Sequence, residues 1–186
     1  MADWFDIDEE LREKLRSDGC IPGCGECCTL VSIPAEKRKE VEENISNPLP
    51  QYPSEPMWKE KSGKKNIVLV HPDGTEECKE RLCPFAYAGD AENYTPFPDW
   101  TVEEGSFTCK SPDSPDGKAD FKAPQIRVKV PEGGKTGIFC GLHYDIRENP
   151  VISKLFPGCK SFTIWTSRVE EYCVRGALAY QKRNKG

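Results

Sequence analysis

The stretch CIPGCGECC, residues 20–28, holds four cysteines in nine residues, and its spacers are mostly glycine and proline. Cys20, Cys24 and Cys27 follow the spacing C-x3-C-x2-C, which allows a tightly turning chain to direct three sulfur atoms towards one centre. The glycines and the proline tolerate the turns that this arrangement needs. Crowded thiolates repel one another, and a bound metal removes that cost while adding folding free energy. The stretch therefore predicts a metal site.

The composition indicates that ordinary hydrophobic packing is weak in this chain. Hydrophobic residues make up 37% of its 186 residues, and 16 prolines and 15 glycines predict much loop. Ten cysteines supply two ways to offset the ordering entropy, disulfides or metal. We predict an α+β fold: a small, loop-rich, metal-stabilised domain with N- and C-terminal helices and short β-hairpins.

The choice between metal and disulfides depends on the compartment. The N-terminal segment is acidic and amphipathic, without the basic start and apolar run of a secretory signal. A cytoplasmic location is therefore expected, where thiols stay reduced and clustered cysteines serve as metal ligands or redox groups. Disulfides joining all the cysteines are the alternative. The net charge of -5 and the lack of a long apolar run predict neither nucleic acid nor membrane as a partner.

The pattern along the chain predicts a single cysteine-rich metal-binding domain over residues 1–186. Amphipathic helices are expected at 6–18, 34–45 and 164–183. Residues 66–70, NIVLV, predict a strand followed by an Asp-Gly turn. Two segments interrupt the core: a proline-rich connector at 46–66, and a mostly irregular insertion at 84–139. Within the insertion, QIRVKV is followed by PEGGKTGIF, which predicts a second hairpin with Gly133-Gly134 at its turn.

More cysteines follow downstream in distinctive surroundings. Cys83 lies in a CPF sequence, Cys140 in IFCGLHYDIRENP and Cys159 in LFPGCKSF. Together with the C-x3-C-x2-CC stretch, this series resembles the YkgJ-like family of CxxCxxCC proteins, which has been associated with chelation of zinc or iron. The resemblance covers roughly residues 20–33, 78–87 and 138–164.

The resemblance implies a set of metal ligands: Cys20, Cys24, Cys27, Cys28, Cys83, Cys140 and Cys159. This chain departs from the compact family pattern, because more than fifty residues separate Cys83 from Cys140. It also has Lys160 where the family often has arginine. Cys78, Cys109 and Cys173 have no counterpart in the motif, and Cys173 falls on the apolar face of the last predicted helix, which is typical of a core thiol.

Thiols outnumber nitrogen ligands, which favours an iron–sulfur cluster of the 4Fe-4S type, serving electron transfer or a cluster-dependent reaction. Adjacent side chains diverge, so Cys27 and Cys28 are not expected to chelate one small ion easily. A multi-iron cluster would accommodate both. Zinc is the alternative, with Cys140 and His143 at C-x2-H spacing contributing to a Cys3His site.

Two alternative functions leave open whether the protein is an enzyme. C-x3-C-x2-C is also the cluster-binding triplet of radical S-adenosylmethionine enzymes, although the alternating strands and helices of their barrel are not predicted here. A zinc-stabilised interaction module could use the aromatic stretch NYTPFPDW to dock a protein partner. The sequence has no other signature of a nucleophilic or nucleotide-binding enzyme.

Overall fold

The computed structural model describes residues 4–18, 21–30, 35–46, 65–103, 107–110, 118–121, 125–157 and 167–185. Two of the predicted ligands, Cys20 and Cys159, lie outside these ranges, as does almost all of the connector at 46–66. The predicted mixed α+β class and the helices near both ends are confirmed.

Six helices are described, together with 3-10 turns at Trp4–Asp6 and Ala35–Lys37. The helices are α1 (Glu9–Asp18), α2 (Cys27–Leu30), α3 (Arg38–Asn44), α4 (His143–Glu148), α5 (Pro150–Leu155) and α6 (Ser167–Asn184). Helix α1 begins with Glu9 and Glu10, whose charges suit a helix N-terminus. Helix α5 begins with proline after Asn149, whose side chain accepts hydrogen bonds from the next turn. In the parts of the chain that are described, no helix is long and apolar enough to cross a bilayer.

Eight strands form three antiparallel or mixed sheets in the described residues. The strands are β1 (Lys65–Val70), β2 (Glu76–Leu82), β3 (Ala86–Asp90), β4 (Trp100–Glu103), β5 (Phe107–Lys110), β6 (Lys118–Phe121), β7 (Gln125–Lys129) and β8 (Thr136–Cys140). The largest sheet has the order β2-β1-β7-β4, while β3 pairs with β8 and β5 with β6. The hairpin that the sequence predicts after NIVLV is present as β1 and β2.

The second predicted hairpin is wrong, because β7 and β8 belong to different sheets. Strand β7 pairs in parallel with β1 and antiparallel with β4, and it buries Ile126 and Val128 at the centre of the large sheet. Strand β8 pairs with β3. The turn at Gly133 therefore links two sheets rather than two partner strands. The prediction of a mostly irregular 84–139 segment is also wrong for its described part, which includes six strands, β3 to β8.

The buried apolar residues form two clusters that meet at the cysteines. The first cluster joins the large sheet to β3, β8, α4 and α5, and it includes Cys28 and Cys83, with Cys27 and Cys140 packed against it. The second joins α1 to α6 through Ile7, Leu15, Ile21, Val174 and Ala177, with Cys24 and Cys173 at its edge. The cysteine-rich loop thus lies where the two clusters adjoin.

The loop reaches strand β8 through glycine. Gly23 and Gly25 have φ values of 90° and 73°, which strain any other residue. The Gly23 carbonyl accepts a hydrogen bond of 2.8 Å from the Ile138 amide. A Cβ atom at Gly25 would lie 2.7 Å from the Ile138 side chain, well inside van der Waals contact. Only glycine allows this close approach.

We expect Gly25→Ala to destabilise the fold more than Gly74→Ala. Both positions have a left-handed φ, 73° and 82°, which costs a non-glycine residue about 1–2 kcal/mol. A Cβ at Gly74 meets nothing within 4 Å, whereas at Gly25 overpacking against Ile138 adds about 1–3 kcal/mol. Urea denaturation of the two variants measures the difference. Equal free energies of unfolding would contradict the close packing of the loop on β8.

Candidate metal centre

Three thiols from two distant segments form a hydrogen-bonded chain. Cys27 and Cys28 begin α2, and Cys140 ends β8. The Cys28 side chain forms hydrogen bonds with the side chains of both Cys27 and Cys140. The sequence predicts that the adjacent side chains of Cys27 and Cys28 diverge, whereas their thiols are close enough to interact. The expectation that they do not easily chelate one small ion stays a prediction.

Cys83 approaches the same place from a third segment. Its amide donates a hydrogen bond of 2.8 Å to the Cys28 carbonyl, so the backbones of the two cysteines are joined directly. The Cys83 side chain is 3% exposed, and its Sγ atom accepts a 3.4 Å hydrogen bond from the Phe85 amide. Amide donors of this kind stabilise a sulfur that carries negative charge.

Cys24 lies against α6, and Cys173 is part of that helix. The Cys24 Sγ atom would be 3.0 Å from a Cβ at Gly176, so the lack of a side chain there makes room for the thiol. Cys173 is half-buried, and burial together with nearby Cys27 and Glu26 raises its pKa to about 11. Cys173 does pack against the apolar cluster between α1 and α6. The sequence does not predict its proximity to Cys27.

The structure separates the cysteines into free and disulfide-bonded groups. The free cysteines among the described side chains are Cys24, Cys27, Cys28, Cys83, Cys140 and Cys173. Cys78 is disulfide-bonded, so it is not available as a ligand. Of the predicted ligands, Cys27, Cys28, Cys83 and Cys140 meet around α2, and Cys24 lies beside them.

The donor set has the chemistry of a site for a soft metal. Its thiols are uncrosslinked, mutually close and surrounded by apolar side chains, and thiolates are the preferred ligands of zinc and of iron–sulfur clusters. Within the ranges that the structure describes, no group of three or more His, Cys, Asp or Glu side chains is already arranged to hold a metal ion. The residues fit a metal in their chemistry, whereas the described side chains do not form a ready-made site, and two predicted ligands lie beyond the described ranges.

Cys27 and Cys28 differ in how readily their thiols lose a proton. The pKa of Cys27 lies below its ordinary value because the Cys28 side chain hydrogen-bonds to it. The pKa of Cys28 lies well above its ordinary value because of its hydrogen bonds with Cys140 and Cys27, and because it is fully buried. The first proton therefore leaves Cys27 more readily, and a second negative charge at Cys28 is disfavoured without a cation.

A buried lysine lies beside the thiols. Lys65 at the start of β1 is 1% exposed, and its Nζ atom donates a 2.6 Å hydrogen bond to the Pro84 carbonyl. Burial lowers its pKa to about 7, although nearby Cys83 and Cys28 favour the charged form. Sequence reasoning missed Lys65, because a lysine at a strand end is usually exposed.

A cavity of about 670 Å³ opens over the thiols. Cys24, Cys27, Cys28 and Cys140 line one side of it. His143 and Arg147 of α4 line another, so the C-x2-H pair of Cys140 and His143 shares this cavity. Arg147 belongs to the IFCGLHYDIRENP segment that carries the family resemblance, although the sequence predicts no role for it.

A scan against protein-family models, a search of curated proteins and a search of solved structures each found no match to this chain.

We expect Lys65→Met to remove a rise in stability between pH 7 and 8.5 in the reduced, metal-free protein. The folded pKa is about 7 against 10.5 for the ordinary side chain, so over this range the unfolded chain binds more protons. Stability must then increase with pH, by about 1–2 kcal/mol at most. Urea denaturation at the two pH values measures it. Identical pH dependence in both proteins would show that the ammonium is not buried as described.

Proposed function

We propose that this protein binds a metal through clustered cysteine thiolates, as a member of the YkgJ-like family, and that the metal is an iron–sulfur cluster of the 4Fe-4S type. The observation that carries the proposal is the chain of free thiols formed by Cys27, Cys28 and Cys140, with Cys83 joined to it by a backbone hydrogen bond. The proposed ligands are Cys20, Cys24, Cys27, Cys28, Cys83, Cys140 and Cys159.

A metal is favoured over a purely structural thiol cluster because of the cost of burial. Hydrogen bonds with Cys140 and Cys27, together with burial and like charge, raise the pKa of Cys28 and oppose its ionisation. Metal binding reverses this balance, since it deprotonates a coordinating thiol and adds the binding energy to folding. An iron–sulfur cluster is favoured over a single zinc because more free thiols gather here than one tetrahedral ion uses.

The residues around the thiols suit a redox centre. An iron–sulfur cluster supplies electron transfer when it is bound. The Phe85 amide donates to the Cys83 sulfur, and buried Lys65 places a potential positive charge near Cys83 and Cys28. Both features stabilise negative charge on sulfur. The cavity gives a reactant direct access to the thiols, which supports a cluster-dependent reaction. The free thiols support a cytoplasmic location, whereas the disulfide at Cys78 counts against it.

Zinc in a structural, protein-binding module is the second candidate. It is favoured by one observation, which is that Cys140 and His143 line the same cavity and could contribute to a Cys3His site. A radical S-adenosylmethionine enzyme is the least favoured, because most strand pairs in the described ranges are antiparallel, unlike the parallel strands of a partial barrel.

Anaerobic purification tests the identity of the metal. We expect a brown protein with broad visible absorption that contains about four iron and four acid-labile sulfide atoms per chain, as a 4Fe-4S cluster requires. A colourless protein that contains zinc would overturn the cluster and support the module. If the protein contains no metal, and titration without reductant detects no free thiols, both the iron–sulfur cluster and the zinc module would be contradicted.

Cysteine substitutions test the site. Cys28→Ala and Cys140→Ala each remove a member of the thiol chain, and we expect at least a tenfold loss of metal affinity, since loss of supporting residues alone costs about 10–100-fold. Cys173→Ala is the matched control, because this thiol lies near Cys27 but outside the proposed ligand set. Metal content after dialysis against a chelator measures all three. Equal retention by Cys140→Ala and Cys173→Ala would contradict the proposed ligands.

A further inference from the structure

The cavity over the thiols differs in charge from the chain as a whole. The protein carries a net charge of -5, yet no aspartate or glutamate is among the residues that line this cavity. Arg147 and His143 are its ionisable nitrogen groups. In the described ranges no carboxylate lies within ion-pair distance of Arg147. Four cysteines also line the cavity, and the metal proposed above would balance the charge of their thiolates. With that charge balanced, the rest of the lining is suited to a ligand with negative charge.

Aromatic rings form another part of the cavity wall. Tyr87 packs against Phe139 with ring centroids 5.3 Å apart, and Tyr94 meets Phe139 edge-on at 5.4 Å. Tyr94 and Tyr144, both at the cavity, are 50% and 59% exposed, which places them among the most exposed large hydrophobic side chains described. Binding of a flat apolar group would cover these rings.

The backbone at Tyr94 is held in an unfavourable conformation. Tyr94 has a φ of 57°, the one positive value among the non-glycine residues described. Its amide donates a 2.8 Å hydrogen bond to the Asp90 carbonyl, and its carbonyl accepts one of 3.1 Å from the Tyr87 hydroxyl. An aromatic residue seldom occupies this region, and strain of this kind concentrates at binding sites. These two hydrogen bonds hold the backbone of Tyr94 at a positive φ, and the same residue lines the cavity.

We propose that this cavity binds a small anionic molecule with a planar, ring-containing body. Arg147 holds the anionic group, and the ring lies against Tyr94 and Phe139 above the thiols. A volume of about 670 Å³ is within the range of small-molecule sites. The ligand would lie beside the metal centre proposed above, but its binding uses residues outside the thiol chain.

Two fluorescent probes with nearly the same rings test the charge preference. 1-Anilinonaphthalene-8-sulfonate carries a sulfonate, and N-phenyl-1-naphthylamine is its neutral counterpart. We expect the anaerobically purified protein to bind one molecule of the sulfonate, about tenfold more tightly than the neutral probe, as one charge-assisted contact would give. In Arg147→Gln the preference should disappear. Arg38→Gln removes the same charge at an exposed pair with Glu42 and should retain it.

Substitution of Tyr94 tests the aromatic wall separately from the fold. Asparagine tolerates a positive φ better than other side chains, whereas Tyr94→Asn and Tyr94→Ala both lose the ring contact with Phe139. Tyr94→Asn should therefore melt higher than Tyr94→Ala, and both should bind the two probes at least fivefold more weakly than the native protein. Tyr94→Phe keeps the ring and should bind them as the native protein does. Equal melting temperatures of Tyr94→Asn and Tyr94→Ala would contradict the strain, and unchanged binding would contradict the aromatic contact.

The proposal is overturned if the two probes bind equally, if many sulfonate molecules bind per chain, or if Arg147→Gln leaves the preference intact. Metal content, measured in the same samples, separates this inference from the proposed function. If the native protein contains metal but binds the sulfonate no more tightly than the neutral probe, only the ligand site is overturned. Binding of the sulfonate with the expected preference in protein that never contains metal overturns the metal centre alone.

Discussion

The close approach of the cysteine-rich loop to strand β8 is the constraint on which the rest of the structure depends. Gly23 and Gly25 bring the loop backbone against Ile138, and this contact carries Cys27 and Cys28 to Cys140. The same loop borders both apolar clusters, one around the sheets and one between α1 and α6. Disturbing the loop therefore disturbs the junction of the two clusters and the thiol chain together.

The thiols lie at the edge of both apolar clusters. The first cluster is extensive and the second is small, and cysteine side chains belong to both. Buried Lys65 lies near Cys83 and Cys28. Buried thiols and a buried ammonium are costly when each is unpaired and favourable when their charges are balanced. A metal at the thiols would supply that balance, so the stability of the fold and the loading of the site would be linked.

The sequence predicts those features that short-range physics determines. Periodic leucines and acidic first turns define α1, the Asp-Gly turn defines the β1–β2 hairpin, and glycine among the cysteines indicates a tight thiol-bearing loop. It does not predict that β7 pairs with β1 and β4, because strand partners distant in sequence are chosen by the burial of Ile126 and Val128 in the assembled sheet. For the same reason the sequence does not predict that Lys65 is buried, because its position beside the thiols arises only when distant segments meet.

The unfolding temperature of the metal-loaded chain, compared with that of the metal-stripped and fully reduced chain, tests the central claim most directly. If metal holds the loop, β3 and β8 together, loading at about a hundredfold excess over the dissociation constant should raise the midpoint by about 5–10 °C in a protein of this size. Identical midpoints, with metal shown to be bound in one sample and absent from the other, would contradict the account.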